Sequence, residues 1–510
     1  MKQTQLLLLL LIATLGFSCS DKDKDTPLSQ TNDFLMYELR KEHNPLLEET
    51  VVADIAQYQV RLTLPEELQG ELLVATFEHN GVSITLDGVP QVSGETKNDY
   101  SQELLYHIQA EATNGKAYLV EVEWIPSKVN PDPSTVIPHI YVDIDNNEPM
   151  ETKDKKRELP ATLRIEGFGL YDDVEGMRTV IRGRGNSTWA MPKQPYRLKL
   201  DKAASLMGLP AYKDWVLLNE YLDGSMLYNA IPYKAGQLLE IPYTNTIIPV
   251  ELTINGEYRG VYAFTEHKEV GEGRIDIGDD GLLLELDSYY DEDWKFQTPN
   301  YYLPVMVQFP KSKNMTTEIM DGIITDFNQL EELVANPSFP NNNYLDYFDD
   351  QAFVDYMIVY QLTLNQEINH PKSTYINRLA GGKFRMGILW DFDWGYGYEG
   401  SGRHYELSTA SKPLFWNGTH AGTRFFGRLM TDPHMQQLFK QRWEWLKAEK
   451  MDELKAYVDQ YSSMVSIALM RDHSRWGQRN ASSDSKENSQ RLKDWLDARI
   501  TYIDNYVANF

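Results

Sequence analysis

From about Asn32 to Ile125, apolar positions alternate with polar ones in short runs closed by turn residues. Tyr58, Val60, Leu62 and Leu64 stop at Pro65; Val82, Ile84 and Leu86 precede Asp87-Gly88; Tyr118, Val120, Val122 and Trp124 follow Asn114-Gly115. A period of two with turns at this spacing predicts an antiparallel β-sandwich over residues 32–125, immunoglobulin-like in kind. Prolines 126, 131, 133 and 138 predict a linker over 126–138. A second strand-rich region starts at Ile140-Tyr141-Val142-Asp143-Ile144, with a hairpin turn at Asn255-Gly256. Beyond about Leu286 the period lengthens. Phe353, Met357, Tyr360 and Leu364 recur at helical spacing, as do Met435, Leu438, Phe439, Trp443 and Leu446, and then Leu492, Trp495, Leu496, Ile503, Tyr506 and Val507. Strands first and helices later predict an α+β domain over 139–510.

The first segment reads as an address. Lys2 precedes a largely apolar run from Leu6 to Phe17, too short to span a bilayer and of the length of a secretory signal. Leu15-Gly16-Phe17-Ser18-Cys19 resembles a bacterial lipobox, with Gly16 in place of the usual Leu, as in the looser lipoboxes of the Bacteroidetes type. The expectation is a signal peptide over 1–18, lipidation at Cys19 and an acidic tether over 19–31. The run from Asp21 to Asp25 resembles a signal for export to the outer face of the outer membrane. The alternative is a plain signal peptide cleaved nearby.

Composition narrows the functions open to such a chain. Its 510 residues carry 49 Lys and Arg against 75 Asp and Glu, a net charge of −26, which argues against nonspecific nucleic-acid binding. Acidic membranes would repel it too, so a lipid anchor is the expected membrane contact. Cys19 is the single cysteine, so neither an intrachain disulfide nor a cysteine-ligated zinc site is possible. The 10 histidines show no metal spacing, and Gly-x-Ser-x-Gly and the Walker phosphate loop are absent.

Three segments carry candidate chemistry. In Ile181-Arg182-Gly183-Arg184-Gly185-Asn186-Ser187-Thr188-Trp189, two glycines lead into hydroxyl and amide groups, and Lys193, Arg197 and Lys199 add positive charge. Such a loop binds phosphate, or is a plain hairpin. Gly387-Ile388-Leu389-Trp390-Asp391-Phe392-Asp393-Trp394-Gly395 reads as an apolar strand ending in two carboxylates that share a side if the chain stays extended. They are Mg²⁺ ligands or capping aspartates. Between the two lies Leu364-Asn365-Gln366-Glu367-Ile368-Asn369-His370-Pro371-Lys372-Ser373, laid out like a kinase catalytic loop ahead of its metal-binding aspartate.

Taken in order, these segments resemble the CotH kinase family, atypical kinases named after a spore-coat protein, over roughly residues 136–510. The supporting motifs are Arg182-Gly-Arg-Gly-Asn-Ser-Thr-Trp189 with Pro192-Lys193 and Tyr196 to Leu200; Asp214-Trp215-Val216-Leu217-Leu218 with Asp223 to Leu227 and Asn229; Asn255 to Tyr262 with Glu266; Trp390 to Gly395; and Phe425-Phe426-Gly-Arg-Leu429 with Asp432-Pro433. The resemblance implies a kinase-like fold that binds ATP with Mg²⁺ or Mn²⁺ and transfers the γ-phosphoryl group to Ser or Thr of a protein. Carried over by position, Lys199 would hold the α and β phosphates, with Lys193 as the alternative. Arg182, Gly183, Gly185, Asn186 and Ser187 would line the nucleotide, Asp391 and Asp393 would hold the metal, and Glu266 would contact the nucleotide or order the lysine.

The chain departs from the kinase pattern where catalysis is most demanding. Glu367 stands in the place of the catalytic aspartate and Lys372 in that of the metal-binding asparagine five residues on. A misplacement of about 1 Å costs on the order of a hundredfold in rate. An ammonium has no lone pair for Mg²⁺, though it can neutralise a phosphate directly. Tyr228 stands where many members have Arg. The readings left open are one metal assisted by Lys372, nucleotide binding without turnover, and another chemistry. The overall expectation is a surface lipoprotein kinase; the alternative is a catalytically silent surface scaffold for protein or glycan, with the sandwich as a candidate docking module.

Overall fold

The computed structural model describes residues 31–47, 49–65, 68–111, 115–125, 136–150, 156–477 and 479–510. The signal peptide, Cys19, the tether up to residue 30, Asn114 and residues 126–135 of the linker lie outside the described residues. Two compact units divide the chain, Met1–Asn130 and Pro131–Phe510. No described helix is long and apolar enough to cross a membrane.

The first unit is β-rich. Its strands are β1 (Phe34–Leu39), β2 (Val51–Val52), β3 (Asp54–Ala56), β4 (Gln59–Pro65), β5 (Leu72–Val74), β6 (Thr76–His79), β7 (Ser83–Leu86), β8 (Val89–Pro90), β9 (Lys97–Asp99), β10 (Leu104–Gln109) and β11 (Lys116–Ile125). They form sheets ordered β2-β1-β6, β3-β4-β11-β10-β7-β8 and β5-β9. Alternate residues Val60, Leu62 and Leu64 of β4 and Tyr118 and Val120 of β11 turn into one core with Phe34, Tyr37 and Phe77 from the β2-β1-β6 sheet. One expectation fails: β4 and β11 pair in parallel, Val60 opposite Val120. The hairpins β3–β4 and β10–β11 are each antiparallel. They meet through strands that run the same way. Alternation fixes which face is buried and says nothing of direction.

The second unit is mixed α+β and begins as a closed barrel. Its strands are β12 (His139–Ile144), β13 (Leu159–Glu166), β14 (Val174–Gly183), β15 (Tyr196–Ala204), β16 (Tyr212–Leu218), β17 (Ile248–Ile254) and β18 (Glu257–Glu266), with helix α1 (Ala230–Leu238) between β16 and β17. The order is β12-β13-β14-β15-β16-β18-β17, and a parallel β12–β17 pairing closes the ring. Ile140, Val142, Leu163, Ile165, Leu198, Leu200, Val250 and Leu252 fill it at alternating positions. The β17–β18 turn has Asn255 at φ 51° and Gly256 at φ 75°, the pair of positive φ angles that tight hairpins demand.

The remainder is a sheet wrapped by helices. Strands β19 (Leu282–Leu286), β20 (Lys295–Gln297), β21 (Pro304–Phe309), β22 (Thr374–Arg378) and β23 (Arg385–Met386) are ordered β20-β21-β19-β22-β23. The helices are α2 (Thr317–Ala335), α3 (Asp350–Thr363), α4 (Tyr398–Ser401), α5 (Ala421–Leu429), α6 (Pro433–Glu449), α7 (Met451–Met464), α8 (Ser466–Trp476) and α9 (Ser485–Val507). Asp349 and Asp432 cap α3 and α6, each accepting a backbone N–H through its side chain, and Pro433 supplies the pre-set first turn of α6. Helix α3 is buried almost all round, as its apolar composition requires, and packs against α1, α6 and α9.

Candidate functional site

The β14–β15 connection carries the two glycines. Gly183 lies against the Trp189 ring, where a Cβ would stand 2.4 Å from ring carbons. Gly185 adopts φ +82° before the short turn Ser187–Ala190. The loop is anchored from below. Lys193 is fully buried, and its Nζ donates to Asp472 Oδ1 and to the Val261 carbonyl, each at 2.5 Å. Asp472, on α8, also accepts from Arg479 at 2.7 Å and from the Val261 N–H at 2.8 Å. Burial alone would raise the Asp472 carboxyl, but Lys193 and Arg479 outweigh it and hold it below its usual value. Asn219 and Tyr262 donate to the carbonyls of Lys193 and Gln194.

Neither lysine expected to hold phosphates reaches the site. Lys193 is consumed by Asp472. Lys199 is exposed on the outside of the barrel, opposite Val180 and Asp214, because Leu198 and Leu200 take the inward positions of β15. Arg197, on the same outer face, pairs with Asp214 at 2.5 Å. Glu266 also stays off the cavity wall; its Oε2 accepts from the Thr246 N–H at 2.9 Å.

The opposite wall comes from the α3–β22 connection and the segment after β23. Leu364 ends α3 at φ 46°, Asn365 Oδ1 accepts from the Glu367 N–H at 3.3 Å, and Asn365 Nδ2 donates to the Asp391 carbonyl at 3.1 Å. The strand expected over 387–390 does not form; β23 ends at Met386 and the chain runs on to Asp391 without sheet pairing. Asp391 itself has φ 64°, so the chain turns there instead of extending. Phe392 is buried between Tyr233 and Tyr360, and its N–H donates to Asn229 Oδ1 at 3.0 Å. Asn229 in turn donates to Glu220 at 2.7 Å.

These walls enclose a cavity of about 370 Å³ within the second unit. Arg182, Arg184, Gly185, Asn186, Ser187 and Thr188 line one side, Glu367, Lys372, Asp391 and Asp393 another. Gly183 is adjacent but does not line it. A third side carries no motif: Lys268, just past β18, contacts both Glu285 oxygens at 3.1 Å, and Tyr375 donates to Glu285 at 2.5 Å. Asp287 sits beside them and accepts from the N–H groups of Tyr289 and Ser373. The signal in the sequence is the charged Glu285 and Asp287 closing an apolar run, Leu282 to Leu286.

The electrostatics are those of crowded carboxylates facing cations. Burial, then the charge of Asp391, pushes Glu367 well above the usual carboxylate range against the opposing pull of Lys372. Burial, then Asp391 and Glu367, does the same to Asp393. Asp287 is raised to about 6, by burial first. His267, on the cationic side, is held well below its ordinary value by burial and then by Arg197, Lys268 and Arg184, so its imidazole is neutral.

Crowding of this kind is relieved by a divalent cation, and Asp391 and Asp393 are the hard oxygen donors that fit one. No cluster of three or more His, Cys, Asp or Glu with metal-holding geometry occurs among the described residues. An ion such as Mg²⁺ takes one or two carboxylates and draws its other ligands from phosphate and water.

Comparison with known proteins assigns the chain to a family. No curated protein matches the chain. A solved structure from Bacteroides thetaiotaomicron, described as a candidate glycoside hydrolase, is 12% identical over 56% of this chain and 75% of its own, with a TM-score of 0.15, a likeness that carries no argument. A family model described as CotH kinase protein matches residues 181–503, well over half of the chain and the whole span from the glycine loop to α9. The chain belongs to the CotH kinase family.

Proposed function

We propose that the second unit is a kinase-like phosphotransferase: it binds ATP with Mg²⁺ or Mn²⁺ and passes the terminal phosphoryl group to a Ser or Thr hydroxyl of a protein. The observation that carries this reading is the convergence on one cavity of the glycine loop, the cations Arg182, Arg184 and Lys268, and the carboxylates Glu367 and Asp391. Phosphoryl transfer needs little from a protein beyond positioning and charge neutralisation, and these groups supply both.

Amides and hydroxyls of Gly185 to Thr188 bind the phosphates, and Lys268, oriented by Glu285 and Tyr375, replaces Lys199 as the phosphate-holding lysine. Asp391 and Asp393 hold the metal, which when bound neutralises the charge of the phosphates. With the cation's charge offsetting the crowding that keeps its proton on, Glu367 would ionise and accept the proton of the acceptor hydroxyl as that hydroxyl's oxygen bonds to the γ phosphorus. The bond from that phosphorus to the bridging oxygen breaks, and ADP leaves. In the same proposal the lipidated Cys19 anchors the chain at the outer-membrane surface, and the first unit is a sandwich-type spacer or a docking module for protein or glycan.

A second reading, nucleotide binding without turnover, rests on one observation: Lys372 Nζ lies 3.6 Å from Glu367 Oε1 and competes for the proposed base. Purified protein incubated with γ-labelled ATP, Mg²⁺ or Mn²⁺ and a Ser/Thr-containing protein mixture separates the two. Label transfer lost in Asp391→Ala is the expected result. Nucleotide binding without transfer supports the silent reading, and no nucleotide binding removes both.

A further inference from the structure

Lys372 is the polar group of the cavity that fits the kinase pattern least. Its Nζ lies 3.6 Å from Glu367 Oε1, 4.6 Å from the centre of the Trp394 ring and 5.6 Å from that of Tyr289. A carboxylate and two aromatic faces therefore fix the ammonium at one place on the wall, where the negative faces of the rings favour a cation. The same wall carries Asp391 and Asp393. The side chain retains 23% exposure, so the charge faces the cavity and is not sealed off as Lys193 is.

The position has two consequences for metal binding. An ammonium offers three donors and no lone pair, so a ligand that an asparagine carbonyl would provide is missing. It also places a positive charge beside Glu367, which repels a dication at short range. Asp391 and Asp393 remain, enough for one Mg²⁺ completed by phosphate and water. Lysine meanwhile binds phosphate as a point charge, needing no planar geometry.

Resting on the proposed nucleotide reading, we infer that this site takes one divalent ion per nucleotide and that the Lys372 ammonium stands in for a second, binding phosphate oxygen directly. The site is thus a one-metal variant in which a lysine supplies part of the charge neutralisation.

The test counts ions. The full chain is titrated with Mn²⁺ in the presence of saturating adenylyl imidodiphosphate, with bound and free Mn²⁺ distinguished by electron paramagnetic resonance and nucleotide affinity measured by calorimetry. One Mn²⁺ per bound nucleotide is expected in the native protein; two overturn the inference while leaving the nucleotide reading intact. Lys372→Asn is expected to raise the count to two, and an unchanged count overturns Lys372 as the excluding group. Lys372→Met is expected to keep one Mn²⁺ and lose about tenfold to a hundredfold in nucleotide affinity; unchanged affinity overturns the phosphate contact. If neither variant folds, by circular dichroism, the native count alone decides. Absence of both Mn²⁺ and nucleotide binding in the native protein overturns the proposed function itself, and this inference with it.

Discussion

Lys193 and Asp472, 279 residues apart, meet at 2.5 Å with both side chains fully buried, which ties the base of the glycine loop to helix α8. Breaking a buried ion pair from one side leaves the other charge stranded, at a cost of about 3–5 kcal/mol. Asp472 also serves Arg479 and the Val261 N–H, so Asp472→Ala strands two cations and a backbone donor. Denaturant unfolding is expected to show a loss in that range, with Lys193→Met/Asp472→Asn less damaged than Asp472→Ala. An Asp472→Ala protein as stable as the native one contradicts the anchoring role.

Lys268 and Lys199 give opposite expectations. Lys268 lines the cavity and is oriented by Glu285, whereas Lys199 projects from the outer face of the barrel. Calorimetry with a non-hydrolysable ATP analogue should show Lys268→Met weakening binding about tenfold or more and Lys199→Ala changing it less than about twofold. Equal losses would return the phosphate-holding role to β15.

The contrast shows what local pattern reveals and what it does not. Glu367, Asp391 and the glycine loop could be picked out because each sits in a short motif, and the hairpin at Asn255-Gly256 and the stripes of α3, α6 and α9 are likewise local. Lys193 and Lys199 misled because charge in a motif does not say whether a side chain faces the cleft, the outside of a barrel or a partner from a distant helix. Asp472, which settles the fate of Lys193, lies outside every motif. Lys268, Glu285 and Tyr375 come together only through the pairing of β19 with β22 and the end of β18, a long-range register with no sequence signature of its own. Parallel pairing of β4 with β11 was hidden for a related reason, since both directions produce the same alternation.

Glu220 makes stability depend on pH. It is buried at φ 46°, Oε1 is held by Asn229, and Oε2 has no hydrogen-bond partner among the described residues. Burial raises its carboxyl to about 7 from 4.5, Asn229 and Lys193 opposing. Between those values the folded state binds more protons than the unfolded one, so stability falls as pH rises. The contribution is full below about pH 4.5 and gone above about pH 7, a span of about 3 kcal/mol. Glu220→Gln should flatten that slope and gain about 1–2 kcal/mol at pH 8, the cost of the unpaired amide N–H deducted. Parallel pH–stability profiles for the two proteins would refute this account.

Gly185 offers a test in which the strain comes from two sources that can be separated. At φ +82° an alanine is disfavoured by about 1–2 kcal/mol, and its Cβ would stand 2.2 Å from Thr188 Oγ1. Both effects act on the loop that lines the cavity, while the Lys193–Asp472 anchor below it is untouched. Gly185→Ala is therefore expected to weaken nucleotide binding about fivefold to thirtyfold while lowering the unfolding midpoint of this large unit by no more than about 4 °C. Adding Thr188→Ala removes the hydroxyl contact and leaves the backbone strain, and Thr188→Ala alone corrects for the loss of the hydroxyl itself. Measured against that single variant, recovery of most of the affinity in the double variant would identify the contact as the larger of the two effects, and no recovery would identify φ. An affinity unchanged in Gly185→Ala would show that the nucleotide does not rest on this loop.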